Sequence, residues 1–206
     1  SVKKIKKEKL LKDLKINNHY KHYLILIKHP LSSEYENSYN QMKKSLEAIK
    51  VFCFKNDFNA ICIAPNSDPG SYEMIQAIKE FNHHDWFYYL QTLPRKYFIN
   101  LVKNAKVLVG NSSMGILDAP YYKIPVVNIG KRQLGRLNAG NVIFTTYNKN
   151  EIVNALKKAC FDKKFREKIK KIKNPYGDSS SAKKIRIAIE SINLKDKKWY
   201  TKKSLC

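Results

Sequence analysis

The run GNSSMGILDAP, Gly110 to Pro120, follows a short apolar segment, Ala105 to Val109, and precedes an apolar helical pattern. In α/β proteins a small-residue turn between a strand and a helix is where phosphate binds. Ser112 and Ser113 supply hydroxyls. With Gly110 and Asn111 before them, backbone N–H groups at the new helix N-terminus are free to face an anion. Asp118, one turn further on, is placed to accept hydrogen bonds from ribose hydroxyls. Taken alone, the tetrapeptide reads first as a plain Asn/Ser cap on a buried helix. The rest of the chain decides between the two readings.

Outward from this turn, strand and helix patterns alternate. Tyr23–Ile27 is an apolar strand delivering the loop Lys28-His29-Pro30, and a helical spacing runs from Ser38 to Phe52. Ala60–Ala64 is a second strand, closed by the turn Pro65-Asn-Ser-Asp-Pro-Gly70. Ser71 is expected to cap the helix that follows. Trp86–Tyr89 reads as a strand, Pro94 starts a helix, and Pro125–Ile129 is a strand ending at Gly130-Lys-Arg-Gln133. Val142–Phe144 is a last strand, with helices at Lys149–Cys160, Lys163–Ile172 and Ser179–Ile192. Strand, loop and helix repeated in this way predict a Rossmann-like α/β domain, a mainly parallel sheet flanked by helices. The predicted organisation is a basic helix or linker over 1–20, the domain over 21–192 and a tail over 193–206.

Composition narrows the function. The formal charge is +23, but it lies at the ends: residues 1–28 carry nine Lys/Arg against two Asp/Glu and residues 151–206 carry seventeen against six. No zinc finger, RRM signature or KH loop accompanies the charge, so no specific nucleic-acid partner is expected. No apolar run approaches the ~20 residues of a spanning helix, and the lysine-rich start lacks the apolar stretch of a signal peptide, so no membrane partner and a cytoplasmic location are expected. Cys53, Cys62, Cys160 and Cys206 show no CxxC spacing, and the five histidines form no HExxH pair; adjacent His83 and His84 would point apart on a helix or strand. No metal, disulfide framework or cofactor is expected. Neither GxGxxG after the first strand nor GxxxxGK[ST] is present, which argues against dinucleotide-dependent and P-loop enzymes.

In a parallel sheet of this kind ligands gather outside the carboxyl ends of the strands. His29 follows the first strand, Asn66 and Asp68 the second, Ser112 and Ser113 the fourth and Arg132 the fifth. Donors outnumber acceptors there, which suits a bound diphosphate. Asn66 and Asp68 also fit an Asx turn before Gly70, and Arg136 reads as structural.

Five stretches, in order, carry a resemblance: KHP at Lys28–Pro30, PNSDPGS at Pro65–Ser71, GNSSMGILDAP, PVVNIGKRQLGR at Pro125–Arg136 and NPYGDS at Asn174–Ser179. The chain resembles the C-terminal half of the hydrolysing UDP-N-acetylglucosamine 2-epimerases. The non-hydrolysing enzymes have an arginine-rich histidine loop and a glycine–glutamate pattern in place of GNSS. The resemblance implies one half of a GT-B architecture that binds a UDP-sugar. It places His29 at the phosphates and active centre as the catalytic residue of this half. It also places Asn66 beside the nucleotide, Ser112 and Ser113 on the diphosphate, Asp118 on the ribose and Arg132 at the phosphate side. Many family members have glutamate where this chain has Asp118, which shortens that reach by one methylene. The implied reaction removes the sugar C2 proton, expels UDP and adds water, giving N-acetylmannosamine or a related 2-epimerised sugar. Its acid and base carboxylates belong to an N-terminal epimerase domain absent from this chain, so no turnover is expected from the chain alone. Self-association into a homo-oligomer is expected through apolar groups left exposed. Two alternatives share the scaffold: a non-catalytic nucleotide-sugar-binding domain and a GT-B glycosyltransferase half-domain.

Overall fold

The computed structural model describes residues 2–17, 20–178, 180–193, 195, 196 and 199. Contacts divide the chain into two compact units, Ser1–Pro175 and Tyr176–Cys206. In the first, a helix α1 (Lys7–Asp13) precedes β1 (His22–Ile27), a 3-10 turn (Ser32–Asn37), α2 (Ser38–Asn56), β2 (Phe58–Ile63), α3 (Ser71–Lys79), β3 (Phe87–Leu90) and α4 (Arg95–Asn104). Then follow β4 (Val107–Gly110), α5 (Met114–Leu117), β5 (Val126–Ile129), β6 (Val142–Thr145), α6 (Lys149–Phe161) and α7 (Lys163–Lys171).

All six strands pair in parallel, in the order β3-β2-β1-β4-β5-β6. The predicted Rossmann-like sheet is therefore present, and its order reverses between β1 and β4, the crevice where ligands collect in doubly wound sheets. The strands are short and apolar because both faces are covered. Along β1, Leu24 and Leu26 pack with the α2, α3 and α6 side of the core. Tyr23, Ile25 and Ile27 pack with Leu10 and Leu11 of α1 and Leu101 and Val102 of α4. The N-terminal segment anticipated as a basic helix or linker thus contributes two fully buried leucines to the core. Its lysines turn outward, as amphipathic spacing requires.

Three local expectations change. The helix after the serine turn is a single turn, Met114–Leu117, because Pro120 follows and disfavours helical geometry at Ala119 before it. The residue capping α3 is Gly70, held at φ +93°, and Ser71 is the first helical residue; a Cβ at Gly70 would lie 2.2 Å from Ser38 Oγ. His83 and His84 occupy a turn, where their rings lie 4.2 Å apart. Cys53, Cys62 and Cys160 are buried free thiols, and burial raises each above the ordinary thiol range. No helix among the described residues is long and apolar enough to cross a membrane.

In the second unit, α8 (Ser181–Glu190) buries none of its residues, and Ile185, Ile187 and Ile189 are exposed. Ser179, the last residue of NPYGDS and first of the expected final helix, lies outside the described residues. So does most of the expected tail, including Leu194, Tyr200, Leu205 and Cys206.

Candidate functional site

The loops after β1, β2, β4 and β5 meet at the β1/β4 crevice, and one residue, Asn111, ties three of them together, the β1 loop through its side chain and the β5 loop through its main-chain carbonyl. Gly110 ends β4 at φ +124°, where a Cβ would stand 2.0 Å from the Ile27 carbonyl oxygen; only glycine lets β4 close against the end of β1. That approach lets the Asn111 amide donate to the Ile27 oxygen at 3.2 Å. It also swings the Asn111 side chain, in a residue only 2% exposed, across to His29. Asn111 Oδ1 accepts from the His29 N–H at 2.7 Å, while Asn111 Nδ2 donates to the His29 carbonyl at 2.8 Å. Both main-chain groups of His29 are thereby held by one amide. The Asn111 carbonyl in turn accepts from Arg132 Nη1 at 3.3 Å and from Gln133 Nε2 at 3.0 Å, and Arg136 Nη1 donates to Gln133 Oε1 at 2.9 Å.

His29 is half-buried, and the Asn66 amide donates to its Nδ1 at 3.0 Å. With Nδ1 accepting, a neutral ring carries its proton on Nε2. Burial first, and the Arg132 charge second, lower the His29 pKa from its ordinary value, with Asp68 opposing and Lys28 adding to the depression. At neutral pH the ring is therefore a neutral Nε2–H donor. The Asn66 side chain donates through Nδ2 to Asp68 Oδ2, and its buried Oδ1 has no hydrogen-bond partner within the described residues. This side-chain contact shapes the loop, while the main-chain N–H of the same residue sets the His29 tautomer.

Ser112 and Ser113 lie beside this network, half-buried. The Ser112 hydroxyl oxygen accepts from the Met114 amide at 3.4 Å, and the Ser112 and Ser113 carbonyls cap the single turn of α5. The anion-facing potential of this turn comes from two hydroxyls and loop amides rather than from a long helix dipole, since α5 has only four residues. Arg132 is half-buried, reaching across the crevice from the β5 loop. The structure thus brings together His29, Asn66, Ser112, Ser113 and Arg132.

Asp118 stands apart. It is exposed, at the far end of α5, and its carboxylate makes no hydrogen bond or ion pair among the described residues. Neighbouring atoms still withdraw it partly from water and raise its pKa above the ordinary carboxylate value. The NPYGDS stretch reaches back to the same helix, Asn174 Nδ2 donating to the Leu117 carbonyl at 2.8 Å. Two residues of the network, Asn111 and Gln133, carried no site role in the sequence reading. Both are polar residues buried at strand ends, 2% exposed each. A buried amide there is the signal of an interloop clamp.

The family model described as UDP-N-acetylglucosamine 2-epimerase matches residues 1–190. The chain is 31% identical over 186 residues to the polysialic acid biosynthesis protein P7 of Escherichia coli, covering 90% of this chain and 47% of that protein. It is 32% identical over 146 residues to a UDP-N-acetylglucosamine 2-epimerase of Neisseria meningitidis serogroup B, covering 71% and 37%. To the UDP-N,N'-diacetylbacillosamine 2-epimerase (hydrolyzing) of Legionella pneumophila it is 30% identical over 170 residues, covering 82% and 43%. The chain spans about half the length of the curated relatives it matches. Among solved structures, S. aureus MnaA with UDP superposes with a TM-score of 0.69 at 19% identity, over 90% of this chain and 48% of that one. The N. meningitidis enzyme bound to UDP-GlcNAc gives 0.69 at 16%, over 90% and 49%. At these identities the likeness is one of fold, and it assigns the sheet as one half of a GT-B architecture.

Proposed function

The chain belongs to the UDP-N-acetylglucosamine 2-epimerase family, and from that premise we propose that it is the UDP-sugar-binding half of a hydrolysing 2-epimerase. The observation that carries the reading is the joining of His29 to Asn111, the residue that leads into Ser112 and Ser113, across the β1/β4 crevice, with Arg132 closing it from β5. These groups are donors, and expulsion of UDP leaves negative charge on the β-phosphate. Preorganised donors aimed at developing charge lower such a barrier more than they stabilise the resting substrate.

In this reading the neutral His29 ring donates its Nε2–H to the diphosphate while Nδ1 keeps its bond from the Asn66 amide. Ser112 and Ser113 donate their hydroxyls, and Arg132 exchanges its bond to the Asn111 carbonyl for a charge-assisted fork on phosphate. Asn66 fixes the histidine tautomer, and Asp118 accepts from the ribose. Carboxylates that handle the sugar C2 proton come from an N-terminal domain, so the chain alone binds without turning over. The hydrolysing assignment follows the histidine–proline loop at His29–Pro30 and the kinship with the Legionella enzyme. A cytoplasmic location accompanies a nucleotide-sugar substrate.

The test is release of UDP and N-acetylmannosamine from UDP-N-acetylglucosamine, measured with the chain alone and with an N-terminal half supplied from a matched relative. Binding of UDP without turnover by the chain alone, and turnover by the mixture, supports the reading. Transfer of the sugar to an acceptor with retention of its configuration at C2 favours a glycosyltransferase half instead.

A further inference from the structure

Lys28 occupies a position that the fold reserves for an apolar side chain. The parity of β1 sends Leu24 and Leu26 into the core beneath α2 and α6, and the next residue of that parity is Lys28, which is 0% exposed. Its Nζ has no hydrogen-bond partner among the described residues. The nearest compensation is the face of Tyr147, with Nζ 5.0 Å from the ring centroid. Tyr147 is itself fixed: its hydroxyl donates to Gln41 Oε1 at 2.9 Å, and Gln41 Nε2 donates to Glu34 Oε2 at 2.8 Å. Glu34 is the acidic group that faces Lys28, and it is already committed to Lys131 Nζ at 2.7 Å. Around Lys28, then, stand Glu34 from the 3-10 turn, Tyr147 from the β6–α6 turn and His29 on its own loop. Asp68 and Arg132 act on that histidine in turn.

A buried ammonium without a hydrogen bond destabilises the folded chain, and an apolar residue of similar volume would serve packing better. Lys28 is the residue immediately before His29, and its charge is felt at that ring. We propose that Lys28 is an electrostatic partner of the bound diphosphate, a buried amine left without a hydrogen-bond partner among the described residues, onto which binding of the anion draws a proton from solvent. The proposal rests on the diphosphate reading of the crevice and adds a proton-coupled step to it. Burial lowers the Lys28 pKa to about 7, so the free chain holds a largely neutral amine at pH 8. Negative charge arriving beside His29 raises that pKa, and each unit of the rise corresponds to tenfold tighter binding to the protonated form.

Calorimetric titration of UDP into the 206-residue chain at pH 8, in buffers of different ionisation heat, measures the proton count directly. At that pH the terminal phosphate of UDP is deprotonated, and the difference in uptake between the wild type and Lys28→Met isolates Lys28. The expected result is uptake of roughly half a proton per UDP for the wild type. Lys28→Met should show none, with affinity at pH 7 reduced by about tenfold. Uptake below about 0.1 proton at pH 8 in the wild type, or the same uptake in Lys28→Met, overturns the proposal while leaving UDP binding intact. Absence of any UDP heat in the wild type across pH 6 to 8 overturns the diphosphate reading and this proposal with it.

Discussion

Replacement of Asn111 by alanine isolates the clamp on which the crevice depends. The change deletes one acceptor at 2.7 Å and one donor at 2.8 Å and leaves the His29 N–H and carbonyl without their partners. An unmade hydrogen bond at a buried group costs about 1 to 3 kcal/mol, and His29 is half-buried, so water recovers part of that for each group. The loss of stability should therefore be about 2 to 4 kcal/mol, a large fraction of the ~5 to 15 kcal/mol of a typical domain. Urea unfolding followed by far-ultraviolet circular dichroism reads it as a lower midpoint with an unchanged slope. Because Arg132 and Gln133 bond the Asn111 main chain rather than its side chain, their loop should stay in place. The loss of UDP affinity should then come from a misplaced His29, by at least about tenfold. Asn111→Asp is the control for geometry. It keeps an acceptor for the His29 N–H but sets a carboxylate against the His29 carbonyl and against an incoming diphosphate, so it should bind UDP less well than the alanine variant. An alanine variant that unfolds within 0.5 kcal/mol of the wild type and binds UDP with twofold-unchanged affinity would refute the clamp.

Three further outcomes are expected. For Lys28, the native pKa of about 7 lies below the ordinary 10.5, so the unfolded chain binds more protons between those values. Wild-type stability should rise from pH 7 towards pH 9, by up to about 1.4 kcal/mol per unit, and Lys28→Met should be more stable at pH 7 and lack that rise; parallel stability curves would contradict it. Arg132→Ala should weaken UDP by about 1.5 to 3 kcal/mol, whereas neutralising exposed Lys163, Lys164 and Lys171 on α7 should change little; equal losses by calorimetry would point to a diffuse polyanion surface. Gly110→Ala places a Cβ 2.0 Å from the Ile27 oxygen at a left-handed φ, and should cost more than about 3 kcal/mol or prevent folding; near-wild-type thermal unfolding would show that β4 and β1 close differently.

The elements were legible in the sequence because their signals are local. Both faces of the sheet are covered, so the strands appear as continuous apolar runs such as Tyr23–Ile27. The helices declare themselves by spacing, as in Ser38–Phe52, and glycines and prolines mark the turns between. The order of the chain also made clear that His29, Asn66, Ser112 and Arg132 all follow strands. What the sequence could not express is which strands are neighbours. Only the pairing of β1 with both β2 and β4 brings Lys28 and His29 beside Gly110 and Asn111, more than eighty residues away in the chain. That adjacency turned Asn111 from a turn-former into the clamp on His29 and made Gln133 part of the same network. It left Asp118 outside the hydrogen-bonded group. It also sealed Lys28 beneath Tyr147, a contact between residues 28 and 147 that no local pattern encodes. Backbone propensity and hydrophobic periodicity act over a few residues, so the sequence by itself determined the elements. The chemistry of the crevice depends on groups from four separate loops, and only tertiary packing decided which of them meet.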